Sequence, residues 1–258
     1  MKGNARRLAA RKVALITGGA RRLGHHMALA LAREGYDVVI TYNHSAGDAR
    51  KTVADLKKLG SESVALRAEV SKRAQVENVI AQIAKKYGRL DVLIGNAGVY
   101  PDATPLENVT EKLFDATLAT NLKGNFLFGK AASALMKKNK LQKNKEKGRI
   151  IFMASLGGLQ IWKDRLPYNV SKAGVVALTK AMARALAADG ISVNAIAPGH
   201  IEMNDEPGAV PTFGSERVPM QRFGTPDDIV RAMLFFVQSA TYVTGEILAV
   251  DGGIHLRG

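Results

Sequence analysis

The sequence contains no cysteine, a single tryptophan and no apolar run long enough to cross a bilayer. The absence of cysteine excludes disulfides, a thiolate nucleophile and any cysteine-ligated metal site, and we expect no metal at all. The first residues are basic, but they lead directly into a β-like segment without the apolar stretch of a signal peptide. We therefore expect a cytoplasmic protein with no membrane partner.

Positive charge is in clear excess, with 37 Lys and Arg against 23 Asp and Glu and a net charge of +14. Such a surface attracts anions, whether nucleic acid, a dinucleotide phosphate or an anionic substrate. The densest basic segment carries no interleaved aromatics, and its Asn, Gln and Gly content is typical of a solvated loop. It comprises Lys137, Lys138, Lys140, Lys143, Lys145, Lys147 and Arg149. We expect no nucleic-acid partner.

Short β-branched segments alternate with longer helical patterns along the whole chain. Strands are predicted at 12–17, 37–42, 63–70, 90–96, 149–154, 192–197 and 246–250. Helices are predicted at 23–34, 46–59, 73–87, 110–137, 168–188 and 226–238. Continuous apolar strands alternating with helices predict an α/β fold, a single-domain Rossmann-type doubly wound parallel sheet with helices on both faces.

No repeat, low-complexity segment or linker divides the chain, so we expect one nucleotide-binding domain over residues 1–258. Residues 1–11 form a basic N-terminal tail. Residues 203–225, rich in Pro, Gly and charge, lie between a strand end and a helix, where a substrate loop is expected.

A glycine turn follows the first strand, and it predicts a dinucleotide phosphate site at the start of the next helix. Its candidate contacts are Gly18, Arg21, Arg22 and Leu23. The second strand ends in Asn43, His44 and Ser45, without the acid that holds a ribose 2′-hydroxyl in NAD sites. The arginines and the missing acid favour a 2′-phosphate and hence NADP(H). The alternative is that these are ordinary polar loop residues.

Tyr168 and Lys172 lie four residues apart on a predicted helix and therefore share one face. A nearby ammonium is expected to lower the pKa of the phenol, which could then exchange a proton with a substrate oxygen. Ser155 ends a strand, so its hydroxyl is expected in the same crevice. Taken alone, Tyr168 and Lys172 could equally be an ordinary surface pair. Their conjunction with the glycine turn favours a catalytic site.

These motifs together resemble the short-chain dehydrogenase/reductase family over nearly the whole chain. The matching positions are Thr17-Gly18 to Gly24, Asn96-Ala97-Gly98, Asn121, Ser155, Tyr168 with Lys172, Pro198-Gly199, and Asp251-Gly252-Gly253. The resemblance implies that Tyr168 is the proton donor or acceptor and that Lys172 also binds the nicotinamide ribose. It implies that Ser155 positions the carbonyl and Asn121 holds a water of the proton path. The adenosine side is expected at Glu69, Val70, Asn96, Ala97 and Gly98, and the nicotinamide at Pro198, Gly199 and Ile201.

Two branches of the family fit the sequence, and the substrate stays open between them. Arg22 stands where the family has its middle glycine, a form found in pteridine reductases. Ser155, where such reductases often carry Asp, is the form found in 3-oxoacyl-carrier-protein and general carbonyl reductases. We therefore predict an NADPH-dependent reductase of a small carbonyl, such as a 3-oxoacyl thioester or ketone. The alternatives are a pteridine or dihydromonapterin reductase and, more distantly, a non-catalytic NADP-binding regulator. The family habit implies a homotetramer or dimer built from the helices at 110–137 and 168–188.

Overall fold

The computed structural model describes residues 11–141, 145–203 and 214–256. Within these ranges the strands are Val13–Ile16 (β1), Asp37–Tyr42 (β2), Val64–Arg67 (β3), Val92–Gly95 (β4), Gly148–Met153 (β5), Ile191–Pro198 (β6) and Ile247–Val250 (β7). The α-helices are Arg22–Arg33 (α1), Ala46–Lys58 (α2), Arg73–Tyr87 (α3), Glu111–Leu118 (α4), Gly124–Met136 (α5), Leu166–Leu186 (α6) and Pro226–Leu234 (α7).

The strands form one parallel sheet in the order β3-β2-β1-β4-β5-β6-β7. Its central strands are apolar on both sides, as in Val13–Ile16, because helices cover both faces. Helices α3, α5 and α6 pack on one face and α1, α2 and α7 on the other. The predicted doubly wound parallel sheet is thus confirmed. The strand order reverses beside β1, which places a ligand crevice at the carboxyl ends of β1 and β4.

The predicted helix over 110–137 is wrong in one respect, because it is interrupted. A π-helical turn, Ala119–Lys123, separates α4 from α5. Gly124 begins α5 against Val70, whose side chain lies 2.7 Å from where a Cβ of residue 124 would stand. A second π-helical turn, Phe235–Ser239, follows α7 inside the predicted helix 226–238. Such turns commonly lie near functional sites, and the first one carries Asn121.

The basic segment 137–149 is not uniformly a solvated loop. Arg149 lies in β5, is only 5% exposed and donates from Nη2 to Glu146 Oε2 at 2.9 Å. Its Nη1 also donates to the Phe236 carbonyl oxygen. A guanidinium can be buried in this way because its charge and donors are paired. Residues 142–144 of this basic segment, including Lys143, lie outside the described part of the chain.

Two further predictions fall mostly outside the described residues. The basic tail at 1–11 is described only at Arg11, whose Nε donates to the Gly35 carbonyl oxygen. Residues 204–213 of the predicted substrate loop lie outside as well. Two backbone hydrogen bonds join the C-terminal end of this loop to the segment after β6. Glu202 N donates to Gly224 O, and Gly224 N donates to His200 O. None of the helices that the structure describes has the length and apolarity needed to span a membrane.

Candidate active site

Asn96 clamps the glycine turn to the end of β4. Its Nδ2 donates to the carbonyl oxygens of Thr17 and Gly18, each at 3.0 Å. In return, Thr17 Oγ1 accepts the backbone N–H groups of Asn96 at 3.0 Å and Ala97 at 2.9 Å. The two predicted cofactor segments, the glycine turn and Asn96-Ala97-Gly98, are therefore held together by their own polar groups.

The N-terminus of α1 is open to an anion. The residue before it, Arg21, is extended and makes no side-chain capping bond, and the first turn contains no acid. The first amide groups of a helix then remain available to a phosphate, which the helix dipole also favours. Gly24 allows the turn to close, because a Cβ there would overlap the Gly18 carbonyl oxygen. These features fit a dinucleotide pyrophosphate.

Arg22 adopts the backbone of the glycine it replaces. Its φ is +52°, in the left-handed region that non-glycine residues rarely occupy. The conformation costs on the order of 1–2 kcal/mol for a residue with a Cβ. Arg21 and Arg22 are both exposed, and Leu23 is half-buried. The loop thus contains an arginine in a backbone conformation that glycine adopts without strain.

The end of β2 carries no carboxylate, and the end of the neighbouring β3 contributes a cation that the sequence prediction missed. Asn43 and Ser45 are half-buried and His44 is exposed, all at the carboxyl edge of the sheet. Arg67, the last residue of β3, donates from Nε to the Asn43 carbonyl oxygen at 3.2 Å. Its position at the end of a strand that neighbours β2 could have indicated that Arg67 lies near the cofactor site.

The predicted adenosine side is built from the end of β3 and the end of β4. Glu69 accepts the Ser71 hydroxyl at 2.7 Å, and its N–H donates to Gln75 Oε1 at 2.7 Å. Val70 is buried against Gly124. A Cβ at Gly98 would stand 3.2 Å from Asn121 Oδ1 and 3.8 Å from Lys172 Nζ. Gly98 therefore lies between the predicted adenosine side and the predicted catalytic residues Asn121 and Lys172.

The Ser155 hydroxyl lies near enough to the Tyr168 phenol to lower its pKa. Ser155 follows β5, and its Oγ accepts the Gly157 N–H at 3.1 Å. Burial raises the pKa of Tyr168 to about 12, and the Ser155 hydrogen bond and the Arg165 charge oppose that rise. The phenol is therefore protonated at neutral pH and can donate its proton to a bound oxygen.

Lys172 is buried beneath the site, and its environment differs from the sequence prediction. Nζ donates to the Met153 carbonyl oxygen at 2.7 Å and lies 5.8 Å from the Tyr168 ring centroid. Desolvation lowers the pKa of Lys172 to about 8. Burial of Tyr168 outweighs the phenolate stabilisation expected from Lys172, so the net pKa of Tyr168 is raised and not lowered as the sequence predicted.

Asn121 joins the π-helical turn to the segment after β4. Its Oδ1 accepts the Val99 N–H at 2.7 Å, and its Nδ2 donates to Val99 O and to Ser171 Oγ, both at 3.0 Å. Its own carbonyl oxygen accepts from Asn125 Nδ2 at 2.7 Å. The side chain therefore holds the Val99 backbone beside Lys172.

The predicted nicotinamide segment begins at the end of β6. Pro198 pairs with Val250 of β7, and Gly199 N donates to Val250 O at 3.0 Å. A Cβ at Gly199 would meet Asp251 Cβ at 2.7 Å, so only glycine allows this approach. Ile201 forms a parallel bridge with Gly224. The buried Asp251 carboxylate accepts the N–H groups of Gly253 and His255, which closes the C-terminal turn.

Three side chains around Tyr168 were not anticipated from the sequence. The Tyr100 ring meets the Tyr168 ring edge-on, with centroids 4.7 Å apart. The Trp162 ring lies nearly parallel to it, with centroids 6.1 Å apart and planes 15° apart. The Arg165 guanidinium lies over the Tyr100 ring at 4.4 Å. All three residues follow the carboxyl end of β4 or β5, which could have suggested that they lie near the site. No spacing in the sequence indicates that they contact one another.

No group of three or more His, Asp and Glu side chains that could hold a metal occurs among the residues described. The chemistry available is a neutral phenol, close to a serine hydroxyl and to a buried lysine, together with a helix N-terminus suited to a pyrophosphate. Such a site on a doubly wound sheet defines an oxidoreductase that uses a nicotinamide cofactor.

Comparison with known proteins agrees with this class. A family model described as enoyl-(acyl carrier protein) reductase matches residues 18–255. The 3-oxoacyl-(acyl-carrier-protein) reductase of Synechocystis sp. is 37% identical over 247 residues, covering 94% of this chain and 96% of the relative. The (2S)-((R)-hydroxy(phenyl)methyl)succinyl-CoA dehydrogenase subunit of Thauera aromatica is 38% identical over 249 residues, covering 94% and 96%.

The fold comparison agrees as well. A short-chain dehydrogenase/reductase of Serratia marcescens superposes with a TM-score of 0.86 and 29% identity, covering 95% of this chain and 99% of that one. The chain belongs to the short-chain dehydrogenase/reductase family, as its motifs predicted.

Proposed function

We propose that the protein reduces the ketone of a 3-oxoacyl thioester to a hydroxyl group, using NADPH. The observation that carries the proposal is the proximity of the Ser155 hydroxyl to the buried Tyr168 phenol, because this phenol is protonated at neutral pH and ready to donate. The 3-oxoacyl thioester is chosen because several similar proteins are named as 3-oxoacyl-(acyl-carrier-protein) reductases at 36–37% identity.

Each residue has a distinct part in this reaction. When bound, the cofactor supplies the hydride that reduces the carbonyl carbon. Tyr168 donates its hydroxyl proton to the carbonyl oxygen, and Ser155 holds that oxygen by a hydrogen bond. Lys172 stabilises the resulting phenolate and, with Asn121, returns a proton to it from solvent. The product is the alcohol, and the protein ends in its starting protonation state.

The preference for NADP(H) over NAD(H) is part of the proposal. Its support is the absence of a carboxylate at the end of β2, together with three guanidiniums at the carboxyl edge, those of Arg21, Arg22 and Arg67. His44 and Ser45 add donors at the same edge. A 2′-phosphate would receive charge-assisted hydrogen bonds from such groups, whereas a ribose hydroxyl would gain little. The expected cytoplasmic location belongs to the same proposal.

We also propose that the protein is a homo-oligomer that pairs its α5 and α6 helices. On α6 the exposed side chains Val170, Ala177 and Ala181 follow a helical spacing, and Phe126 on α5 is 43% exposed. Small apolar residues allow close helix packing. Light scattering of the purified protein tests this, and a monomer at micromolar concentration would contradict it. The variant Ala177→Arg is expected to weaken the assembly.

An NADPH-oxidation assay with three substrates tests the function. We expect turnover with an acetoacetyl thioester, little with a dihydropterin, and much less with NADH than with NADPH. A preference for the dihydropterin would replace the ketone proposal with the pteridine alternative. NADPH binding without turnover of any carbonyl would instead support the regulator predicted as the distant alternative.

A further inference from the structure

Two loops meet in front of Tyr168 and are joined to each other. The first follows β4 and carries Tyr100, and the second follows β5 and carries Trp162 and Arg165. Thr104 N donates to the Asp164 carbonyl oxygen at 2.8 Å, and Arg165 Nη1 donates to the Pro101 carbonyl oxygen. The joined loops therefore present their side chains in a defined arrangement at the mouth of the site.

These loops place rings on two sides of the catalytic phenol. Tyr100 approaches the Tyr168 ring at 87°, and Trp162 lies within 15° of parallel to it. Tyr100 is 56% exposed although it contacts Tyr168, so much of its surface remains to be covered. Aromatic rings prefer edge-on and offset parallel partners, and both geometries are available to a third ring here.

A residue of helix α6 holds the backbone at Trp162 in place. Asn169 is 2% exposed and donates from Nδ2 to the Trp162 carbonyl oxygen at 2.8 Å. Gly157 allows the close approach, because a Cβ there would stand 3.1 Å from both the Trp162 and the Tyr168 rings. The position of Trp162 is thus determined by buried contacts.

Large apolar side chains extend the same surface outward. Val99 on the first loop is 44% exposed, and Leu159 and Ile161 on the second are 41% and 77% exposed. Exposed apolar groups concentrated at one site commonly mark a place where a ligand is bound. The short methyl end of an acetoacetyl group would leave most of this surface in water.

We propose that Tyr100 and Trp162 form a ring-binding subsite, so that the favoured substrates are ketones with an aromatic ring directly on the reacting carbonyl carbon. This deepens the proposed function and rests on it. Arg165 is a positioning residue in the subsite, since its guanidinium covers one face of Tyr100 and keeps that ring edge-on to Tyr168. The carbonyl oxygen then lies at the Ser155 and Tyr168 hydroxyls while the ring lies on the two aromatic side chains.

Steady-state kinetics with a matched pair of substrates test the subsite. Reduction of benzoylacetyl and acetoacetyl thioesters of N-acetylcysteamine is followed with NADPH for the wild type, Tyr100→Leu and Tyr100→Phe. We expect the wild type to favour the benzoylacetyl thioester in kcat/KM by about tenfold, as one good aromatic contact allows. Tyr100→Leu should remove that preference, mainly through KM, and Tyr100→Phe should keep it.

Tyr242→Leu is the matched control, because Tyr242 is fully exposed on the segment before β7 and lies outside the subsite. It should leave both substrates unchanged. Equal losses on both substrates in Tyr100→Leu, or a wild type that prefers the acetoacetyl thioester, would overturn the subsite and leave the proposed function standing. A wild type inactive on both thioesters would overturn the proposed function itself.

Fluorescence gives a test that needs no turnover. Trp162 is the single tryptophan of the chain, so its emission reports directly on this subsite. Benzoylacetate added to the NADP⁺-loaded protein should change the emission in a saturable way, and Tyr100→Leu should weaken the apparent affinity several-fold. An emission that does not respond to benzoylacetate would contradict ring binding even if ketone reductase activity is present.

Discussion

The Lys172 ammonium donates to the Met153 carbonyl oxygen at 2.7 Å, at the end of the strand that precedes Ser155. This bond holds the lysine inside the protein, where only 6% of the residue is exposed. Burial makes the charge costly, which is why the pKa of Lys172 falls to about 8. The protein thus keeps, beside the proposed catalytic tyrosine Tyr168, a buried cation that lowers the stability of the fold.

Replacing Lys172 should separate stability from activity. At pH 7 the charged form is penalised in the folded state, so Lys172→Met should be more stable than the wild type, by at most about 3 kcal/mol at ~1.4 kcal/mol per pH unit. Turnover should fall by at least about 100-fold. Urea unfolding and NADPH oxidation measure the two effects, with the exposed Lys180→Met as control.

The stability gain of Lys172→Met should depend on pH in a defined direction. The folded pKa of about 8 lies below the ordinary value of 10.5, so the penalty is complete below about pH 8 and absent above pH 10.5. The gain should therefore shrink as the pH rises through that window. A gain that is constant from pH 7 to pH 10.5 would contradict the burial argument.

The pH dependence of ketone reduction should follow Lys172 rather than Tyr168. With a pKa of about 12, Tyr168 stays protonated throughout the measurable range, whereas Lys172 loses its charge above about pH 8. We expect kcat/KM for reduction to be level at lower pH and to fall above about pH 8. Initial rates in overlapping buffers test this, and a profile that rises with pH would be incompatible with it.

Removing the phenol hydroxyl should stop chemistry without preventing cofactor binding. Tyr168→Phe keeps the ring contacts with Tyr100 and Trp162 but has no proton to donate. Turnover should drop by about 100-fold or more, and NADPH affinity measured by fluorescence should stay close to that of the wild type. Tyr242→Phe serves as the exposed control. Full activity in Tyr168→Phe would refute the assigned role.

Arg22 combines backbone strain with a proposed role in phosphate recognition, and two substitutions separate these effects. Arg22→Gly and Arg22→Ala both lose the guanidinium, so both should raise KM for NADPH more than KM for NADH. Only glycine relieves the φ of +52°, so Arg22→Gly should be about 1 kcal/mol more stable than Arg22→Ala. Thermal unfolding and initial rates provide the measurements. Equal rises in both KM values would remove the case for the 2′-phosphate.

The buried Arg149–Glu146 pair should behave as a structural unit far from the chemistry. Arg149→Met removes the Arg149 ion pair of the Glu146 carboxylate, whose side chain is 14% exposed, and should cost about 3–5 kcal/mol. Adding Glu146→Leu should restore most of that loss, because the buried charge that lost this ion pair is then gone. Urea unfolding of the single and double variants measures the coupling. Losses that simply add would contradict it.

The fold and the family could be predicted from the sequence, and the details of several elements could not. The strand pattern depends on local runs such as 13–16, whose apolar residues are visible in one dimension. The π-helical turn at 119–123 was missed, and the glycine that follows it, Gly124, packs against Val70, which is far away in sequence. Arg149 was expected at the start of the strand at 149–154 as well as in the basic segment, but its burial was not predicted, since its partner carbonyl belongs to Phe236.

By itself, the sequence determined the alternation of strands and helices and the order of the strand-end motifs. It therefore determined which residues reach one edge of the sheet, because the carboxyl ends of parallel strands share that edge. Only the tertiary structure decided how deeply those residues are buried and which side chains they contact. The depth at which Lys172 and Tyr168 are buried and the meeting of Tyr100 with Trp162 and Arg165 depend on contacts between separate segments. Desolvation and packing act on neighbours in space, and no local pattern of residues encodes them.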